Sequence, residues 1–233
     1  MFDNKKVTAV ITAAGNGSRM NSDVNKPFIK IMGKMIIEIT LDKINSIDEI
    51  DDIILVIRKS DEKNIKNILK KYDKKIKVVY GGSTRELSTF NGLKEVDPDT
   101  EIVLTHDGVR PLVNPDTIRK VLKEMKNYKA AIVGVKSKDT VKVVKDDKTV
   151  DFTPPREFVY NIQTPQVFDR KTLEELYEKY VEEDITITDD SSLFEVFQVF
   201  DVPVKVVEGE YSNIKLTTVE DVVYAIELLK RDL

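Results

Sequence analysis

The sequence predicts an α/β fold in which a mostly parallel central sheet is covered by helices on both faces. Short apolar runs rich in β-branched residues alternate along the chain with stretches whose apolar residues recur every three or four positions. Such alternation is typical of parallel strands joined by helices. The chain has 233 residues and 41% hydrophobic content, which is enough to bury one large core. We therefore expect a single domain over residues 1–233.

Apolar runs predict five strands, near residues 7–13, 52–58, 76–80, 101–106 and 130–136. Between them, three helix faces have apolar residues at helical spacing, and we assign these faces to the core. The faces are Ile36, Ile37, Thr40, Leu41 and Ile44, then Ile65, Ile68, Leu69 and Tyr72, then Ile118, Val121, Leu122 and Met125. Pro115 after Asn114 marks the start of the third helix.

The segment 138–156 alternates apolar and charged residues around a turn at 145–148, which predicts a projecting β-hairpin arm. A two-stranded hairpin is only marginally stable alone, so a partner subunit is the natural surface for it to pack on. Packing back onto its own domain is the alternative. Beyond the arm, the pattern predicts helices near 170–182 and 190–198, a strand near 203–207 and a last helix from about Thr218.

The composition excludes several classes of site and partner. Without cysteine there is no disulfide, thiolate nucleophile or thiolate-bound zinc, and with one histidine, His106, any metal must have oxygen ligands. The 37 basic and 41 acidic residues are interspersed, which does not favour a nucleic-acid partner. No apolar run approaches 18 residues and the first residues are polar, so we expect a cytoplasmic protein without a membrane segment.

The stretch 7–26, VTAVITAAGNGSRMNSDVNK, joins an apolar strand to a loop of small residues and ends in two spaced cations. The small residues are Ala13, Ala14, Gly15 and Gly17. Their lack of bulk lets backbone N–H groups approach phosphate oxygens closely. The Arg19 guanidinium can bind two phosphate oxygens at once, and the Lys26 ammonium acts as a compact point charge. The pair therefore suits a polyphosphate. The alternative is an ordinary turn between a strand and a helix.

Asp107 and Arg110 follow the predicted strand 101–106. The carboxyl ends of parallel strands face the ligand crevice, so these residues should lie opposite the first loop. Asp107 suits Mg²⁺, which takes one or two carboxylates together with substrate phosphates, although Asp-Gly is also a common turn pair. We expect His106 to be structural, because an anionic phosphate nucleophile needs no proton removed.

Two further segments carry weaker signals. Gly82 and Ser88, after the strand 76–80, offer backbone groups and a hydroxyl for recognising a base, or alternatively form a capped loop that opens a helix. Lys215 lies among apolar neighbours before a capped helix, where it could neutralise charge developing at phosphorus. A solvated loop lysine is the alternative.

Eight motifs appear in the order seen in one enzyme family. They are AAGNGSRM with Lys26, GGSTRELS, HDGVRP, KDT at 138–140, PPR at 154–156, QTPQVF, TDD and NIKLTT, and they extend from about residue 7 to 222. The chain thus resembles the 2-C-methyl-D-erythritol 4-phosphate cytidylyltransferase family. This resemblance implies a Rossmann-like nucleotidyltransferase that forms a homodimer through exchanged arms. It also implies Mg²⁺-dependent transfer of CMP from CTP to a sugar-alcohol phosphate, with release of pyrophosphate.

The resemblance also implies roles for individual residues. The catalytic residues would be Arg19, Lys26, Arg156 and Lys215. The nucleotide-binding residues would be Ala13, Ala14, Gly15, Gly17, Gly82 and Ser88. The acceptor-binding residues would be Asp107, Arg110, Thr140, Arg156, Thr164 and Thr188, and Asp107 would also lie by the metal. Because the arms are exchanged in the family, Arg156 would act in the neighbouring subunit's site.

The chain departs from the family pattern in places that leave the acceptor open. Pro27 stands where the family usually has glutamine, Ser83 where relatives commonly have an acidic residue, and Val109-Arg110-Pro111 is closer to ribitol-5-phosphate cytidylyltransferase. We rank 2-C-methyl-D-erythritol 4-phosphate first as acceptor, in isoprenoid precursor synthesis, and a pentitol phosphate second, for wall or surface polymers. A nucleotide-binding protein without turnover and a sugar-1-phosphate nucleotidyltransferase are the alternatives from other classes.

Overall fold

The computed structural model describes residues 1–15, 25–183, 185–199 and 201–231. In these ranges the strands are β1 (Val7–Thr12), β2 (Lys30–Ile31), β3 (Lys34–Met35), β4 (Asp52–Ile57), β5 (Lys75–Tyr80), β6 (Ile102–Asp107), β7 (Ala130–Lys136), β8 (Val143–Val144), β9 (Val150–Phe152), β10 (Tyr160–Asp169) and β11 (Val204–Glu208). The α-helices are α1 (Ile36–Asn45), α2 (Glu62–Leu69), α3 (Arg85–Leu93), α4 (Pro115–Glu124), α5 (Arg170–Glu182), α6 (Ser192–Val196) and α7 (Val219–Arg231).

The central sheet of the described chain contains seven strands in the order β11-β7-β10-β6-β1-β4-β5. Strand β10 runs antiparallel to both of its neighbours, and the other four pairings are parallel. In the middle of the sheet, Ala9 pairs with Ile53 on one side and with Leu104 on the other. The predicted mostly parallel α/β sheet is therefore confirmed.

Alternate residues of the central strands enter two separate cores, because successive side chains of a strand point to opposite faces. Ala9 and Ile11 pack with apolar residues of α1, α2 and α4 on one face. Val10 packs on the other face with residues of α3, α5 and α6. Both faces of the sheet are thus covered by helices, as the continuous apolar character of the strands predicts. A smaller cluster joins α7 to α1.

The predicted strands and helices before the arm agree with the structure to within a few residues. After the arm, the helix predicted over 170–182 is α5, the helix predicted near 190–198 is the shorter α6, and the last strand and helix are β11 and α7. The sequence analysis did not predict β10, which lies between β6 and β7. Pro165 opposes a central strand locally, since proline cannot donate a ladder hydrogen bond. The structure accommodates it at a register shift between Gln163 and Gln166.

The arm region contains the predicted hairpin. Strands β8 and β9 pair antiparallel, and the Lys145 N–H donates to the Thr149 carbonyl at 2.9 Å across the predicted turn. The apolar side chains of Val144, Val150 and Phe152 are about half exposed in this chain. A partner subunit as the surface that covers them stays a prediction.

None of the helices in the described ranges is both long enough and apolar enough to cross a bilayer.

Candidate active site

Two adjoining cavities meet near the carboxyl end of β6, and the second extends over β10, β7 and β11. The first has a volume of about 290 Å³, and the second about 560 Å³. Predicted residues that line the first are Ala13, Ala14, Gly15, Lys26, Ser88, Asp107 and Lys215. Predicted residues that line the second are Asp107, Arg110, Thr164, Thr188 and Lys215. The cavities share Arg85, Asp107 and Lys215, and we call these three residues the junction.

The junction is a carboxylate surrounded by cations. Asp107, the last residue of β6, accepts from Lys215 Nζ at 3.1 Å through Oδ1 and from Arg110 Nε at 3.0 Å through Oδ2. Arg85 Nε lies 3.8 Å from Oδ1. Burial alone would raise the pKa of Asp107, but the charges of Lys215, Arg85 and Arg110 outweigh it and hold that pKa well below its usual range. Asp107 therefore stays ionised and holds the cations at the cavity boundary.

Backbone contacts bring the loop that carries Lys215 to the loop that follows β6. The Leu216 N–H donates to the Val109 carbonyl at 2.9 Å. Arg110 donates to the Asn213 carbonyl at 2.8 Å, and the buried Asn213 side chain donates to the Thr164 carbonyl at 2.9 Å. Lys215 thus reaches Asp107 from more than a hundred residues away along the chain because the surrounding backbone fixes its loop.

Lys26 enters the first cavity from a short 3₁₀ helix, Lys26–Phe28, and its Nζ donates to the Thr217 carbonyl at 2.6 Å. The preceding residue, Asn25, is buried. Its amide donates to the Ala13 carbonyl at 3.1 Å and to Asp61 Oδ2 at 2.8 Å. Pro27 lies in the first turn of the 3₁₀ helix, where a missing N–H is tolerated. The departure from the family pattern at this position is therefore compatible with the placement of Lys26.

The loop after β5 packs against the first loop. A Cβ on Gly81 would lie 2.4 Å from Ala14 Cβ and 2.7 Å from Ser88 Oγ, so only glycine fits between them. Ser88 Oγ accepts from the Gly82 N–H at 3.1 Å and donates to the Thr84 carbonyl at 2.7 Å. Thr84 also caps α3, as the capped-loop alternative predicted. Ser88 therefore shapes this loop as well as lining the cavity.

His106 is buried next to the junction and hydrogen-bonds residues that line the second cavity. Its Nε2 lies 3.4 Å from the Arg110 carbonyl, which only accepts, so Nε2 carries the proton. Its Nδ1 then accepts from the Thr164 hydroxyl at 3.0 Å, while that hydroxyl oxygen accepts from the Asp107 N–H. Burial lowers the pKa of His106 to about 4. The predicted structural role of a neutral histidine agrees with this arrangement.

Polar side chains of the loop before α6 form part of the second cavity. Asp189 accepts from Gln166 Nε2 at 2.5 Å and from Ser191 Oγ at 2.6 Å. Burial would raise the pKa of Asp189, but these bonds and those from Ser192 lower it overall. Thr188 Oγ1 lies 3.2 Å from Ser192 Oγ at the cavity wall. The cavity offers hydroxyl and amide groups that suit a polyhydroxylated ligand.

Asp107 is the one carboxylate among the described residues that line the first cavity. The described residues contain no group of three or more His, Asp or Glu side chains that could hold a metal ion. The donor set therefore fits a hard cation that takes most of its ligands from ligand phosphates and one from Asp107, which is the usual pattern for Mg²⁺.

Two of the predicted residues lie away from the two cavities. Thr140 and Arg156 are exposed on the arm side of the chain, where Arg156 donates to the Lys138 carbonyl at 3.3 Å, and neither lines the two cavities. Gly17 and Arg19 fall outside the residues that the structure describes. Arg85 was not predicted as a site residue, although it follows a strand end, and neither were Asn25 and Gln166.

Comparisons with known proteins identify the family. Residues 7–231 match the family model described as IspD, 2-C-methyl-D-erythritol 4-phosphate cytidylyltransferase. A protein of that name from Caldanaerobacter subterraneus is 42% identical over 228 residues, covering 97% of this chain and 99% of the relative.

Solved structures give the same result. The crystal structure of 4-diphosphocytidyl-2C-methyl-D-erythritol synthase from Anaerococcus prevotii has 54% identity and a TM-score of 0.91, covering 99% of this chain and 98% of that one. The Francisella tularensis 2-C-methyl-D-erythritol 4-phosphate cytidylyltransferase has 31% identity and a TM-score of 0.78, covering 95% and 98%. With a match along nearly its whole length and a Rossmann-like, mostly parallel sheet, this chain belongs to the 2-C-methyl-D-erythritol 4-phosphate cytidylyltransferase family of nucleotidyltransferases.

Proposed function

We propose that this enzyme transfers CMP from CTP to 2-C-methyl-D-erythritol 4-phosphate, giving 4-diphosphocytidyl-2-C-methyl-D-erythritol and pyrophosphate. The observation that carries the proposal is the pair of cavities that meet at Arg85, Asp107 and Lys215. The first cavity has small residues and cations that suit a nucleotide triphosphate, and the second has polar groups that suit a polyol phosphate. A reaction between the two ligands would take place where the cavities meet.

In the proposed reaction, an oxygen of the acceptor phosphate attacks the α-phosphorus of CTP. The new oxygen–phosphorus bond forms as the bond from the α-phosphorus to the bridging oxygen of the β-phosphate breaks, and its electron pair leaves with pyrophosphate. The nucleophile is already an anion, so no general base is required. Catalysis then rests on positioning two anions and neutralising the charge that develops between them.

The cationic side chains would supply that neutralisation. Lys26 enters the first cavity and Lys215 lies on its boundary with the second, so together they would stabilise the charge on the α-phosphate in the transition state. The predicted role of Arg19 is part of this proposal. Mg²⁺, held by Asp107 and the CTP phosphates, would offset the negative charge of the triphosphate.

Backbone groups of Ala13, Ala14 and Gly15 would approach the nucleotide, together with Gly17, and Gly82 and Ser88 would read the base. Arg110, Thr164 and Thr188 would contact the acceptor. We propose that the enzyme acts in the cytoplasm as a single-domain homodimer, with Thr140 and Arg156 of each arm reaching the neighbouring subunit's site.

The activity is tested by pyrophosphate release from CTP in the presence of Mg²⁺, with 2-C-methyl-D-erythritol 4-phosphate and ribitol 5-phosphate as parallel acceptors. We expect turnover with the first acceptor, its loss with a chelator, and its loss in Lys26→Ala. Lys120→Ala, an exposed lysine on α4, is the matched control and should keep full activity. Turnover with ribitol 5-phosphate alone would identify a pentitol phosphate as the acceptor instead. CTP binding without turnover would refute the enzymatic proposal.

Arm exchange is tested separately by mixing two inactive variants, Lys26→Ala and Arg156→Ala, under conditions that allow subunits to exchange. If Arg156 acts in the other subunit's site, a mixed dimer contains one site with both residues intact. Equal mixing should therefore restore about a quarter of wild-type activity, because half of the dimers are mixed and half of their sites are complete. No recovery after verified subunit exchange would show that Arg156 does not act across the dimer.

A further inference from the structure

Arg85 is the one junction residue to which the sequence motifs assigned no role. It is the first residue of α3, and its side chain is 26% exposed and lines both cavities. Its Nε lies 3.8 Å from Asp107 Oδ1. A guanidinium in this place faces the boundary at which two anionic ligands would meet, and its planar fork suits phosphate oxygens.

A second carboxylate, in the protein interior, also lies close to the Arg85 guanidinium. Asp190 is completely buried, and its Oδ1 lies 3.4 Å from Arg85 NH1. The same oxygen accepts from the Tyr177 hydroxyl at 2.7 Å. Arg85 is thus shared between Asp190 beneath it and Asp107 beside it.

A purely structural ion pair would not require this geometry. The short bond to Asp190 comes from Tyr177, whereas the Arg85 contact is long, and Asp190 Oδ2 has no hydrogen-bond partner among the described residues. If Arg85 served only to neutralise Asp190, a closer bond to both carboxylate oxygens would be expected. The guanidinium instead stays on the wall of the two cavities.

We propose that Arg85 is a catalytic residue that contacts the acceptor phosphate at the point of attack, and that Asp190 is the residue that positions it. This inference rests on the proposed function. Asp190 keeps the guanidinium from moving fully onto Asp107, so that it remains directed at the boundary between the cavities. Arg85 then brings the acceptor phosphate towards the α-phosphorus and offsets the repulsion between the two phosphates.

The test measures kcat, the KM for each substrate, the calorimetric Kd for CTP and the melting temperature in Arg85→Gln, Arg85→Lys and Asp190→Asn. We expect Arg85→Gln to lower kcat about 100-fold, as removal of a charge-stabilising donor does. The kcat of Arg85→Lys should be about tenfold higher than that of Arg85→Gln, because lysine keeps the positive charge but lacks the planar guanidinium fork. The Kd for CTP should stay within about threefold in both variants, since the contact is to the acceptor.

Asp190→Asn should lower kcat less than Arg85→Gln does, and the double variant should be no slower than Arg85→Gln alone, because Asp190 acts through Arg85. The control is Arg119→Gln, which removes an arginine of α4 that pairs with Asp116 and with Glu49, away from both cavities. It should leave all kinetic constants unchanged.

A folded Arg85→Gln with kcat within about threefold of wild type would overturn the proposal. A loss of turnover accompanied by an equal loss of CTP affinity would also overturn it. Additive effects on kcat in the double variant would overturn the role of Asp190. If Arg85→Gln does not fold, Arg85→Lys decides by the same criteria. Absence of pyrophosphate release in the wild type would instead refute the proposed function, and this inference with it.

Discussion

The buried histidine should make the stability of this protein depend strongly on pH between about 4 and 6.5. His106 is 1% exposed, and burial lowers its pKa to about 4 from an unfolded value of 6.5. In that pH range the unfolded chain binds a proton that the folded chain does not. The free energy of unfolding therefore falls as the pH falls from 6.5 to 4, and the contribution is constant below the folded pKa.

The size of the effect follows from the two pKa values. The difference of 2.5 units corresponds to about 3.4 kcal/mol at most, at 1.36 kcal/mol per unit. Between pH 7 and pH 4.5, proton linkage gives a loss of about 2.4 kcal/mol from His106 alone. Asp107, whose pKa is lowered, contributes to acid unfolding below its unfolded pKa of 3.8, outside most of this range.

The assay is urea denaturation at pH 7 and pH 4.5 for wild type and His106→Gln, at one protein concentration. Glutamine keeps a donor for the Arg110 carbonyl but does not titrate, so carboxylates affect both proteins alike and the difference isolates His106. Because the chain has one histidine, proton NMR also follows its imidazole directly. An imidazole that titrates near 6.5 in the folded protein, or an equal pH dependence in both proteins, would refute the reasoning.

Substitutions at four further positions test the packing of α3 and of the loops that line the first cavity. Gly92→Ala should lower the free energy of unfolding by about 1–3 kcal/mol, because its Cβ would lie 2.7 Å from two strand valines. Gly15→Ala, whose Cβ would have no atom of the described residues within 4 Å, should change it by less than about 0.5 kcal/mol, and equal effects in urea denaturation would contradict this. Asn25→Ala should weaken CTP binding in calorimetry, because its bonds to Ala13 and Asp61 hold the base of the first loop; an unchanged Kd would remove that role. Thr84→Ala should lower the free energy of unfolding by about 1 kcal/mol through loss of the α3 cap, whereas Thr84→Ser should keep most of that stability. Equal unfolding curves for the two variants would contradict the role of the cap.

The sequence predicted most of the sheet because its central strands are apolar on both faces and are separated by amphipathic helices. It did not predict β10, since the local signal of Pro165 opposes a central strand. Only the register shift between Gln163 and Gln166 makes the proline acceptable, and that shift depends on pairing with β7, which is distant in sequence. Tertiary pairing overrides local preference at this strand.

The residues of the candidate site were also predictable only in part. Lys26, Asp107 and Lys215 could be identified from motifs, and the structure brings all three to the first cavity. Arg85 could not be given a role, because its environment is set by Asp190, 105 residues further along the chain. The partners of Asn25 are likewise fixed by the fold. Residue types indicate the chemistry of a site, but the contacts that orient them depend on long-range packing.

Sharing one wall makes the two cavities energetically dependent on each other. The charges of Arg85, Asp107 and Lys215 act on both sides of that wall, so an anion bound in one cavity changes the field that a ligand meets in the other. Thermodynamic linkage requires the coupling to be reciprocal: the factor by which CTP changes the affinity for the acceptor equals the factor by which the acceptor changes the affinity for CTP. The affinity of either substrate measured alone therefore differs from its affinity in the ternary complex.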